Sequence, residues 1–104
     1  MNENEESSQL LETIEAHLKD GMRKIHAGDA AMARNSLLNA LIEFTKDKDF
    51  ARAHGDTFDR AIGLAAVCLE LAAENTTDEI WEQATKLLSG AIKIRLEMIQ
   101  SSSH

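Results

Sequence analysis

The sequence predicts an all-α fold of four antiparallel helices arranged as two helical hairpins, either a four-helix bundle or a repeat-like stack. Three observations carry this expectation. The 104 residues contain no proline, where average usage would place about five. Proline breaks helix interiors but is common in loops and at sheet edges, so its absence points to long helices joined by short turns. Apolar residues recur at steps of three and four, and β-branched or aromatic residues rarely alternate, which gives strands little support.

The first seven residues, with Glu3, Glu5 and Glu6, read as a short disordered acidic lead-in whose charge favours the helix N-terminus that follows. Ser7 or Ser8 is positioned to cap a first helix from about Ser8 to Ala27. Leu11, Ile14, Leu18, Met22 and Ile25 form its apolar stripe, widened by Leu10. Acids come early (Glu12, Glu15) and bases late (Lys19, Arg23, Lys24), which suits the helix dipole. Gly21 weakens this helix relative to alanine and suits close approach of a neighbour; Gly28 ends it.

Asp29 caps a second helix, with Ala33, Leu37, Ala40, Leu41 and Phe44 facing inward and Leu38 and Ile42 broadening that face. The two-residue junction Gly28-Asp29 makes the first two helices antiparallel neighbours. Thr45–Asp56 is the least regular stretch, read either as a solvated turn or as a helix continuing through Phe50. Phe50 and Ala53 are its candidate anchors to the core, and His54-Gly55-Asp56 looks like a stop followed by a new cap.

A third helix, about Thr57 to Glu74, places Phe58, Ala61, Ile62, Ala65, Leu69 and Ala72 on one face. Leu64, Val67, Cys68 and Leu71 cover much of the rest, so this helix is either central or at an interface. Asn75-Thr76-Thr77 makes the next turn, with Thr76 and Glu79 at capping-box spacing. The fourth helix runs to about Gln100. It carries one stripe of Ile80, Ala84, Leu87, Ala91, Ile94 and Met98 and a second of Trp81, Leu88, Ile92 and Ile99. Residues 101–104 read as a polar tail. The whole chain is expected to be a single helical domain.

Gly21 and Gly28, seven apart, followed by Asp29, Ala33, Leu37, Ala40 and Leu41, make the stretch Ile14–Phe44 resemble a tetratricopeptide-repeat hairpin. Trp81, Ala84, Leu88, Ala91 and Ile92 echo its second half. The chain departs from that pattern with His17 and Lys24 at the usual large and aromatic positions, with 51 residues between Ala33 and Ala84, and with no terminal proline. The resemblance implies peptide or partner binding on a helical surface.

Composition excludes several functions. One cysteine cannot form an internal disulfide. With 18 acidic and 11 basic side chains the net charge is −7, which disfavours nonspecific binding to nucleic acid or anionic lipid. No signal peptide or spanning segment is legible, so a cytoplasmic setting is the expectation. The residues three before His17, His26 and His54 are Ile14, Arg23 and Ala51, so the Glu-x-x-His ligand pattern of di-iron bundles is missing. His17 and Asp20 could share a ligand, but two solvated polar residues explain them better. Cys68, between Val67 and Leu69, reads as an inert core thiol. No nucleophile elbow, phosphate loop or dinucleotide fingerprint occurs. No cofactor, metal site or enzymatic activity is expected.

Partner binding is the class that survives. The chain reads as a small adaptor, chaperone or inhibitor that contacts another protein, or a second copy of itself as a homodimer, through apolar helix faces. Leu64, Val67, Leu71, Trp81, Leu88, Ile92 and Ile99 are the candidate contact residues. Trp81 reads first as a core anchor and second as an interface hot spot. The alternative is a regulator of nucleic acid or its enzymes, acting by acidic mimicry or through a small basic strip of Arg23 and Lys24, or of Lys86, Lys93 and Arg95.

Overall fold

The structure, a computed structural model, describes residues 3–102. They form α1 (Glu3–His26), α2 (Ala30–Lys46), α3 (Lys48–Ala53), α4 (Gly55–Leu71), a 3₁₀ turn (Ala73–Asn75) and α5 (Asp78–Ser102). The fold is all-α, as the sequence predicts, but there are five α-helices among the described residues and not four. The domain measures 42 × 28 × 20 Å, so its shortest dimension holds about two helix diameters.

The additional helix resolves the irregular stretch. Asp47 adopts extended backbone (φ −133°, ψ 98°) and ends α2. Its carboxylate then accepts the Phe50 N–H at 3.1 Å and starts α3. Phe50 is buried, but its expected companion Ala53 is exposed and Ala51 takes that place in the core. His54 separates α3 from α4 and makes no side-chain cap, so Asp56 lies inside the first turn of α4 and does not cap it.

The first junction follows the sequence closely. Gly28 has φ +83°, the only positive φ among the described residues. Its N–H bonds to the Ile25 carbonyl at 3.0 Å, and that of Asp29 to the Lys24 carbonyl at 2.8 Å. This is the Schellman termination, which requires a left-handed residue and so favours glycine. Asp29 then accepts the Met32 N–H at 3.3 Å.

Other boundaries move. Because α1 begins at Glu3, most of the expected acidic lead-in is helical, and Ser7 and Ser8 fall within the helix and are not its cap. Helix α4 ends at Leu71, short of the expected Glu74. Thr77, not Thr76, caps α5, accepting the Ile80 N–H at 3.4 Å. Thr76 instead donates to the Ala72 carbonyl and accepts from the Arg34 guanidinium, tying this turn to α2. Helix α5 continues through Ser101 and Ser102 of the expected tail; Met1, Asn2, Ser103 and His104 lie outside the described residues.

The core is built on α2, which packs against α1, α3, α4 and α5. Its predicted inner face, Ala33, Leu37, Ala40, Leu41 and Phe44, is fully buried. Phe44 stacks between Phe50 and Phe58, with ring centroids 5.5 and 4.8 Å away. Ile14 and Leu18 of α1, Ala61, Ala65 and Cys68 of α4, and Ala91 and Met98 of α5 complete it. Met22, Ile42 and Ile80, expected on inner faces, are exposed.

Candidate partner-binding groove

Helix α1 meets α2 along a tight seam. A Cβ at Gly21 would lie 2.7 Å from a Leu37 methyl, so the missing side chain is the space Leu37 occupies. Alongside, Asp20 accepts a hydrogen bond from Ser36 of α2 at 2.9 Å and an ion pair from Lys24 at 2.7 Å. Those two contacts, Lys24 first and then Ser36, hold the Asp20 carboxyl below its ordinary pKa against the opposing effect of burial, with a lesser pull from Arg23. Asp20 is thereby engaged in the α1–α2 seam, while His17 on the same helix is not part of these contacts.

Helix α1 meets α4 differently. Both rest on α2, but between them runs an open groove of about 490 Å³. Leu18 and Met22 of α1 and Leu64 and Val67 of α4 give it an apolar lining; Glu15, Lys19 and Arg60 edge it. Gly63 also lines it, and a Cβ built there meets nothing within 4 Å. Met22 and Val67 are 44% and 49% exposed, although Leu18 beneath them is buried. The volume lies within the range of ligand pockets.

The structure thus divides the seven predicted contact residues. Leu64 and Val67 line the groove, and Leu71, one turn beyond Val67 on α4, is 57% exposed. Trp81, Ile92 and Ile99 lie exposed on α5, while Leu88 of the same stripe packs on the core. Leu96 joins that stripe and was not predicted. The α1 half of the groove was also missed, since Leu18 and Met22 belong to a regular amphipathic stripe that looks like core. On the α4 side Gly63, placed inside a helix with no turn, was a further legible signal.

Elsewhere several polar groups are paired within the chain. Arg95 reaches from α5 to Asp59 of α4 with two hydrogen bonds, 2.7 and 3.2 Å. That contact raises its pKa. Arg23 and Lys24 pair with Asp20, so three of the five cations proposed for a basic strip are engaged within the chain. Burial pushes the Cys68 thiol up, and its S–H donates to the Ala30 carbonyl at 2.9 Å. Among the described residues no three His, Cys, Asp or Glu side chains are grouped to hold a metal ion, and no helix is long and apolar enough to cross a membrane. Comparison with protein-family models, with curated proteins and with solved structures finds no match to this chain.

Proposed function

We propose that this chain is a non-enzymatic protein-binding module, an adaptor, small chaperone or inhibitor, that receives a partner segment in the groove between α1 and α4. The observation that carries this reading is the groove itself: an open apolar channel on a folded domain, edged by charge. A concave, largely apolar groove with a few polar groups at its edge is where binding sites are usually built. The mechanism is helix-in-groove recognition, in which a partner's apolar stripe displaces water from Leu18, Met22, Leu64 and Val67.

The architecture behind this reading is two antiparallel hairpins, α1–α2 and α4–α5, stacked in the manner of tetratricopeptide repeats. Leu37 nested at Gly21, the Gly28 turn and the buried Ala33 support it. A cytoplasmic setting fits a single buried thiol and the acidic charge.

Capture from a lysate of the source cells tests the proposal, with the wild-type chain and the Gly63→Leu and Val67→Glu variants as bait. A genuine groove partner is retained by the wild type and lost with both variants while their circular dichroism stays native. A partner retained equally by all three removes the groove from the function. Light scattering addresses α5: a dimer mass that falls to the monomer's on Ile92→Glu assigns the stripe of Trp81, Ile92 and Ile99 to self-association.

A further inference from the structure

The groove is edged by more positive than negative charge, on a chain that is acidic overall. The chain carries −7, yet the groove is edged by two cations and one acid: Lys19 on the α1 wall, Arg60 on the α4 wall, and Glu15 one turn before Lys19. Both cations are exposed, and neither is held in an ion pair among the described residues. The next cations along α1 behave differently, since Arg23 and Lys24 are both taken up by Asp20. Lys19 and Arg60 therefore stand one on each side of an apolar strip with no ion-pair partner among the described residues.

We infer that the occupant of the groove is an amphipathic helix whose apolar stripe is bordered by carboxylates; this rests on the reading of the groove as a partner-binding site. The lining runs over Glu15–Met22 on α1 and Arg60–Val67 on α4, about 12 Å at 1.5 Å per residue. That length matches two turns of a bound helix and its i, i+3, i+4, i+7 anchors. The stems of Lys19 and Arg60 extend the apolar walls while their charged heads stay at the rim, where carboxylates on either side of an inserted stripe would meet them. At physiological salt the Debye length is about 8 Å, so a seated helix feels these two charges more strongly than the dispersed negative charge. Glu15 confines the carboxylates to the Lys19 end of the α1 wall.

The test is a displayed library of helical peptides of about 16 residues, long enough to cover the groove twice over. Leu is fixed at i, i+3, i+4 and i+7, and the flanking positions are drawn from Glu, Lys and Ser. It is selected on the full chain in about 0.15 M salt. The expected result is enrichment of Glu at the flanking positions. The selected peptides should weaken about three- to tenfold against the Lys19→Glu, Arg60→Glu double variant, as expected for two part-exposed ion pairs. Selection on that variant should shift toward Lys. Circular dichroism checks that the two exposed substitutions leave the fold intact. Enrichment of Lys, or of no charge, among peptides whose binding is lost on Gly63→Leu overturns this inference and leaves the groove reading standing. Peptides that bind Gly63→Leu as tightly as wild type, or a selection that enriches nothing, overturn the groove reading itself.

Discussion

Helix α1 has two neighbouring seams, and a glycine marks each of them with opposite meaning. Against α2, Gly21 is buried and its missing side chain is replaced by Leu37, so the glycine closes the seam. Against α4, Gly63 is exposed and nothing replaces its missing side chain, so the glycine keeps the seam open. Polar contacts follow the same division. Asp20 and Ser36 bridge the closed seam, whereas along the open one Lys19 and Arg60 form no ion pair among the described residues. A glycine inside a helix is thus not one signal: it admits a neighbour where a large side chain faces it and leaves a hollow where none does.

The largest effect separates the two faces of α4. Its inner face carries Phe58, stacked on Phe44, and its outer face carries Val67. Phe58→Ala should cost about 3–5 kcal/mol, since it removes a fully buried ring stacked on Phe44. Val67→Ala should stay within about 0.5 kcal/mol, as exposed positions do. Denaturant unfolding of both variants checks the contrast. Equal losses would mean that the groove is as tightly packed as the core.

The two glycines come next and should respond with opposite sign. Gly21→Val places methyl groups where Leu37 already sits. Overpacking of this kind costs about 1–3 kcal/mol. Gly63→Ala gains helix propensity with no clash and should stabilise by about 0.5–1 kcal/mol, which is a rise of a few degrees in Tm for a domain of this size. Thermal unfolding followed by circular dichroism reads both. A destabilising Gly63→Ala would show that the groove closes in solution.

Most of the fold was legible because its determinants are local. Helical periodicity places the fully buried face of α2, and Gly28-Asp29 provides both a left-handed residue and a cap, so this junction follows from two residue types. Boundaries were less legible where two signals compete. Asp47 and Asp56 are equally good caps by composition, and only the burial of Phe50 decides that the chain restarts at Asp47. Thr76 and Thr77 are likewise equivalent until Arg34 reaches Thr76 from a distant helix. The groove was half legible. Leu64 and Val67 exceed what one buried face of α4 needs, and that excess can be seen in the sequence. Leu18 and Met22 sit in an ordinary amphipathic stripe; their role depends on how far α4 stands from α1, a tertiary quantity with no local trace.

The smallest predicted effect concerns the polar bridge of the closed seam and is read as a pH dependence. The ion pair with Lys24 and the hydrogen bond from Ser36 depress the Asp20 pKa in the folded state, while in the unfolded chain it returns to about 3.9. Below that value the unfolded state binds the proton more readily than the folded one, so stability falls as pH falls. The contribution is therefore complete above about pH 4 and is lost as pH drops through the folded-state pKa. Asp20→Asn keeps an acceptor for Ser36 but removes the charge. Its stability deficit should be constant from neutral pH down to about pH 4 and shrink below that. High salt should reduce it too, because the pair is partly exposed and screened. Urea unfolding of both proteins from pH 7 to about pH 2.5 gives the difference directly. A deficit that persists unchanged at the acid end would mean that Asp20 acts by shape alone, and that the α1–α2 seam is held by Leu37 at Gly21 with no electrostatic share.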